Sequence, residues 1–291
     1  FRKGKFQKRD VQNYEFELED NLFRLHRELK AKTYKHSQYT SFYVIDPKQR
    51  HIHKAFDRDR VLHHAIFRVL YPLFDRQFIF DSYSCRLNKG SHRAVKRLKN
   101  FCDKVSANNN RNILVVKCDV KKFFDSVNHE ILLGIIKKTV DGFDALWLVE
   151  KIIKSFETKR GFGLPIGNVT SQLFANIYLN ELDQFVKHQI KSRFYLRYCD
   201  DFVLLAKDPQ KLNLAVAKIF DFLESELKLS LHPDKVIFRK YRQGIDFLGY
   251  VVRSHCVTLR TRTKRRLLRR VREENLPSYL GILKHCKGYK I

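Results

Sequence analysis

Residues 193–206, Arg-Phe-Tyr-Leu-Arg-Tyr-Cys-Asp-Asp-Phe-Val-Leu-Leu-Ala, constrain this chain more than any other stretch. Residues 194–198 and 202–206 both read as strands. Cys199, Asp200 and Asp201 lie between them, too few for anything but a hairpin turn. Two adjacent carboxylates repel, and Asp is a poor strand residue. A divalent cation offsets that cost, because hard cations take oxygen ligands and leave positions open for substrate phosphates. Two exposed turn aspartates are the plain alternative, and the turn alone leaves both readings open.

A second carboxylate ends another apolar run. Residues 112–118, Asn-Ile-Leu-Val-Val-Lys-Cys, have a buried-strand pattern, and Asp119 follows. A strand-end aspartate with a hairpin aspartate pair is an arrangement that grips two metals. One activates an attacking oxygen and the other steadies the leaving group.

Three motifs in order, Asp119 with Phe124, then Gly163-Leu-Pro-Ile-Gly-Asn-Val-Thr-Ser-Gln172, then Tyr198-Cys-Asp-Asp201, resemble the successive palm motifs of a reverse transcriptase. The resemblance spans nearly the whole chain. It implies an α+β right-hand polymerase with fingers over residues 1–110 and a palm over 111–252. The palm would be a small antiparallel sheet backed by helices, with a helical segment at 129–160 bridging to the fingers. A short or incomplete helical thumb would occupy 253–291. Asp119, Asp200 and Asp201 would hold two Mg²⁺ ions, with Mn²⁺ as an alternative. Lys235, in Leu229-Ser-Leu-His-Pro-Asp-Lys-Val236, would donate a proton to departing pyrophosphate; it reads equally as a surface lysine after a turn.

The charge agrees. Fifty-eight Lys and Arg against 31 Asp and Glu give +27, spread along the chain, which points to a polyphosphate partner. The expected partners are template RNA, primer or cDNA, and dNTPs. No apolar run approaches a membrane span and the first residues do not form a signal peptide, so no membrane partner is expected. The six cysteines show no Cys-x-x-Cys spacing and read as reduced thiols of a cytoplasmic protein, and the resemblance implies a bacterial, archaeal or phage-encoded one.

Helical spacing covers residues 14–32, with Phe16, Leu18, Leu22, Leu25 and Leu29 on one side. Residues 33–53 read as a basic antiparallel ribbon turning at Asp46-Pro47. In the resembled family it is the fingers hairpin, where Lys48 and Arg50 would meet the incoming nucleotide; alone, Arg50 is a solvated strand residue. Helices are expected at 57–73 and 91–105. Arg86, Lys89 and Arg93 flank the turn at Asn88-Lys-Gly90, and the resemblance lays them along the template. Of the adjacent Phe123 and Phe124, only one can face the core from a strand or tight turn. The family places an aromatic at Phe124 as a steric gate against a 2′-hydroxyl.

Helices are also expected at 130–138, 145–156, 171–190 and 209–227. The glycine-punctuated turn at 161–167 lets backbone approach a ligand, and the helix after it offers a phosphate site. Ile166 and Gln172 would contact the nucleotide. Most relatives carry Gln-Gly where this chain has Ser171-Gln172. That departure, with Ile166, resembles reverse transcriptases of diversity-generating retroelements, which misincorporate opposite template adenines and work with a small basic accessory protein. An apolar Ile166 gives the nucleotide fewer polar fixings. Residues 244–250 read as one Gly-bounded strand resembling the primer grip, with Gly249 and Tyr250. Residues 260–272 read as a basic thumb helix that would place Lys264 and Arg265 on the duplex backbone. A group II intron or other bacterial reverse transcriptase is the rival subclass, and an idle RNA-binding scaffold the rival from another class.

Overall fold

The computed structural model describes residues 2–45 and 49–288. In chain order the elements are α1 (Arg9–Phe16), α2 (Leu18–Lys30), β1 (Thr40–Ile45), β2 (Gln49–Lys54), α3 (Asp57–Asp75), α4 (Ser91–Ser106), β3 (Leu114–Asp119), α5 (Phe123–Ser126), α6 (His129–Lys137), α7 (Phe143–Ile153), α8 (Val169–Gln184), β4 (Tyr195–Tyr198), β5 (Asp201–Ala206), α9 (Pro209–Ser225), β6 (Ile237–Lys240), β7 (Ile245–Phe247), β8 (Tyr250–Val252), β9 (Val257–Leu259), α10 (Thr261–Arg270) and α11 (Leu276–Leu283). They form two compact units. One comprises the chain up to Phe78 and Lys122–Tyr178; the other comprises Ile79–Lys121 and the chain from Leu179 on.

In the first unit β1 and β2 form an antiparallel hairpin, with Thr40 opposite Lys54 and Val44 opposite Arg50. Residues 40–45 are all exposed, so pairing and not burial specifies the ribbon. α3 buries Leu62, Ile66, Leu70 and Phe74 at helical spacing. Asn128 caps α6 by accepting from the Ile131 N–H at 3.0 Å.

In the second unit four strands pair antiparallel in the order β4-β5-β3-β6. Phe202, Val203, Leu204 and Leu205 are all buried, the continuous apolar run of a strand covered on both faces. Val203 and Leu205 share a core cluster with Val115 and with Ala94, Leu98 and Phe101 of α4. α9 packs against β3 and β5. A second sheet, β7-β8-β9, adds Phe247, Tyr250 and Val252 to the same cluster.

Four sequence expectations change. The helix expected at 14–32 is two helices, because the backbone leaves helical geometry at Glu17 (φ −114°, ψ 42°) and Asn21 Nδ2 donates to the Tyr14 carbonyl across the corner. Residues 244–250 are not one strand. Leu248 (φ 50°) and Gly249 (φ 87°) form the two-residue turn of a β7-β8 hairpin, whose twist demands positive φ at both positions. Phe123 and Phe124 open the short helix α5 instead of lying in a strand or tight turn. The helix expected at 171–190 starts two residues earlier, at Val169, and widens into a π-helical turn over Phe185–Gln189.

Candidate active site

Asp119 is the last residue of β3 and Asp201 the first of β5, and the antiparallel register sets them opposite each other. Tyr198 pairs with Asp201, so Cys199 and Asp200 alone make the hairpin turn. The turn is tied to the chain beyond β3, where the Val120 N–H donates to the Asp200 carbonyl at 3.3 Å. The Asp119 carbonyl accepts from the His232 N–H at 2.8 Å, which brings the segment carrying Lys235 alongside. Lys235 Nζ then lies 2.6 Å from Asp119 Oδ1.

A second lysine, Lys117, lies 3.2 Å from Asp201 Oδ1. That contact is an ion pair, and among the described residues no other group bonds to the buried Asp201 Oδ1. Burial pushes the Asp200 carboxyl above the usual range, and the neighbouring Asp201 and Asp119 charges push the same way. Burial also raises Asp201, with Lys117 pulling back. Among the described residues, no three His, Cys, Asp or Glu side chains are gathered about one metal position. The carboxylates share a sheet end, and lysines partner two of them. Carboxylates that repel one another at one sheet end are the hard oxygen donors a divalent cation takes, and here Lys235 and Lys117 balance two of them. Sequence reading passed over Lys117. Its signal was a cation two residues before Asp119, on the same face of a strand.

Arg50, Phe124, Ile166 and Gln172 belong to the first unit, Asp119, Asp200, Asp201 and Lys235 to the second. Backbone bonds stitch three of the first group together. The Leu164 N–H donates to the Phe124 carbonyl at 2.7 Å, and the His53 N–H to the Ile166 carbonyl at 2.8 Å. Ile52, on the same strand face as Arg50, packs where a Cβ on Gly167 would come within 3.0 Å. Phe123 is buried and Phe124 half-buried, while Gln172 is exposed in the first turn of α8. Lys48 lies outside the described residues, as does the expected turn at Asp46-Pro47.

The other candidates scatter. Arg86 Nη1 donates to the Ile79 and Ser82 carbonyls, Lys89 Nζ to the Phe80 carbonyl, and Arg93 to the Asn88 carbonyl, so all three brace their own loop. Gly249 is a turn residue. Tyr250 is a core residue, 3% exposed, whose hydroxyl donates to the Ile282 carbonyl at 3.1 Å. Lys264 and Arg265 are exposed on α10. All six cysteines are free thiols, in agreement with the sequence reading. No helix among the described residues is long and apolar enough to cross a membrane.

A strand-end carboxylate facing a hairpin carboxylate pair, on a small antiparallel sheet packed by helices, belongs to the palm of a right-hand polymerase, an α+β fold. The family described as "Reverse transcriptase (RNA-dependent DNA polymerase)" matches residues 23–252, and the chain belongs to it. The protein YkfC of Escherichia coli K12 is 27% identical over 231 residues, 66% of this chain and 60% of YkfC. The group II intron-encoded protein LtrA of Lactococcus lactis is 22% identical over 307 residues, 81% of this chain and half of LtrA. Among solved structures, apo telomerase from Candida tropicalis, truncated from its C-terminal domain, superposes with a TM-score of 0.58 at 12% identity. That match covers 82% of this chain and 60% of that one. The chain therefore spans about half to three-fifths of these proteins.

Proposed function

We propose that this chain is an RNA-directed DNA polymerase that extends a primer along an RNA template. One observation carries the reading: Asp119 faces Asp201 across β3 and β5, next to Asp200 in the hairpin turn. In this reading the fingers, palm and thumb occupy residues 1–110, 111–252 and 253–291. The primer 3′-oxygen bonds to the α-phosphorus of a dNTP, the bond to pyrophosphate breaks, and the 3′-hydroxyl proton passes to solvent water. Mg²⁺ ions held by Asp119, Asp200 and Asp201 would supply charge neutralisation for the triphosphate. Lys235 Nζ holds a proton for the departing pyrophosphate, and its contact with Asp119 keeps it at the site. Arg50 would fork onto phosphate oxygens, and the Phe124 ring would exclude a 2′-hydroxyl.

Alignment and charge stabilisation make up most of phosphoryl-transfer catalysis, so loss of one ligand should cost orders of magnitude in rate while RNA binding survives. The test is primer extension by Asp200→Ala and Asp201→Ala; near-normal incorporation by both sinks the proposal.

Within the class, Ile166 and Ser171-Gln172 favour a diversity-generating retroelement enzyme, error-prone at template adenines and assisted by a small basic protein. The similarity to LtrA favours a second reading, an intron-type enzyme. Sequencing the cDNA separates them, since substitutions confined to template adenines support the first and uniform copying the second.

A further inference from the structure

Arg197 sits one residue before the Tyr198-Cys-Asp-Asp201 motif and is 0% exposed. Its fork is bidentate on Asp183, also 0% exposed, with Nε to Oδ1 at 2.8 Å and Nη2 to Oδ2 at 2.6 Å. Nη2 also reaches Ser82 Oγ at 3.2 Å, and the Tyr195 hydroxyl donates to Asp183 Oδ1 at 2.6 Å. Nη1 donates to the Cys199 carbonyl at 3.1 Å. Cys199 adopts φ 55°, the left-handed region that favours glycine, at the first position of the two-residue turn. A non-glycine residue persists there only where its surroundings over-determine it. A buried ion pair is weak evidence for stability, since an apolar pair of similar volume often does as well. The pair therefore needs another explanation, and the carbonyl bond supplies one.

We propose that Arg197, anchored by Asp183, is a positioning residue that pins the Cys199 carbonyl and so fixes the turn presenting Asp200 and Asp201. The inference rests on the polymerase reading. Asp183 fixes the plane of the guanidinium, the guanidinium fixes the carbonyl, and the carbonyl fixes the peptide plane leading into Asp200. Arg is needed because one planar fork serves the carboxylate and the carbonyl together, which a Lys ammonium cannot do in that geometry.

Two variants test this. Arg197→Lys keeps the buried charge but loses the fork. Arg197→Met with Asp183→Leu removes both charges, so no unpaired ion stays buried. Each is compared with wild type for thermal midpoint, steady-state incorporation, and alkylation of Cys199 mapped by mass spectrometry. In whichever variant keeps a cooperative transition, kcat should fall about tenfold or more while the dNTP KM and the Kd for an RNA–DNA duplex stay within about twofold. Cys199 alkylation should accelerate by a similar factor. Adding Cys199→Gly, which tolerates positive φ, should restore much of kcat. A folded variant with wild-type kcat and wild-type Cys199 protection overturns the proposal and leaves the pair a packing feature. Wild-type protein that incorporates no dNTP defeats the polymerase reading instead, and the alkylation comparison still decides whether Arg197 holds the turn.

Discussion

Asp119 and Asp201 are cross-strand partners, each with a lysine against its carboxylate, Lys235 on the first and Lys117 on the second. Asp200, beside Asp201 in the turn, has no lysine ion pair among the described residues. Its carboxyl is pushed up by burial first and by Asp201 next. A carboxyl raised in the folded state costs stability when ionised, so at neutral pH and without metal it opposes folding. Asp200→Asn should therefore raise the thermal midpoint in EDTA by a few degrees, on the order of 1 kcal/mol, while abolishing incorporation. Added Mg²⁺ should stabilise wild type more than the variant. Calorimetry with and without Mg²⁺ checks both halves, and a variant less stable than wild type in EDTA would refute them.

His63 predicts an acid-labile first unit. Its Nδ1 lies 2.9 Å from the Thr170 hydroxyl and its Nε2 3.0 Å from His36 Nε2. His36 Nδ1 lies 2.6 Å from the Ser37 carbonyl, which can only accept. His36 Nδ1 must then carry hydrogen, its Nε2 accepts from His63, and His63 Nδ1 accepts from Thr170, with both rings neutral. Burial pushes His63 down to about 3 from 6.5. Between those values the unfolded chain binds more protons, so stability is full above about pH 6.5 and declines as pH falls toward 3. The slope approaches about 1.4 kcal/mol per pH unit for one proton. Urea melts from pH 7 to pH 4 should show it, and His63→Gln should flatten it at some cost in stability at neutral pH.

Gly167 has φ 129°, and a Cβ there would meet Ile52 Cγ2 at 3.0 Å and the His53 carbonyl at 3.2 Å. Backbone freedom and close approach are needed together, because this is where the strand carrying Arg50 joins the loop carrying Ile166. Gly167→Ala should lower stability by more than about 1 kcal/mol. It should also loosen the β1-β2 hairpin. Limited proteolysis should then cut within residues 40–54 sooner than in wild type; an unchanged cleavage pattern would refute the coupling.

The palm was legible because its cues are local. Apolar runs of strand length, aspartates at their ends and a gap too short for anything but a turn lie within single windows of sequence. What escaped depends on partners far along the chain or on one backbone angle. Leu248 carries no mark of a turn, so Phe247 and Tyr250 read as neighbours in one strand although they face each other across a hairpin. Arg197 read as another basic strand residue, because Asp183 lies on a different element and no periodicity links the two. Lys117 was hidden in a run read for its apolar members. The resemblance lays Arg86, Lys89 and Arg93 along the template, while the residues alone read as a polar loop; in the structure each donates to a nearby carbonyl.

α10 gives the cleanest separation of electrostatics from folding. It buries only Leu267, so its other residues contribute little to the core, and Lys264 and Arg265 stand exposed. If the helix tracks a phosphate backbone, each of these cations releases counterions on binding. Lys264→Ala and Arg265→Ala should each make the slope of log K against log salt shallower by about 1 for an RNA–DNA duplex. The thermal midpoint should hold, since exposed substitutions usually change stability by under about 0.5 kcal/mol. Tyr250→Ala should do the reverse, losing about 3–5 kcal/mol as a large aromatic core deletion and leaving the salt slope of the folded fraction unchanged. Fluorescence anisotropy across a salt series, paired with thermal melts, measures both. Slopes identical to wild type in the two α10 variants would remove this helix from the nucleic-acid surface.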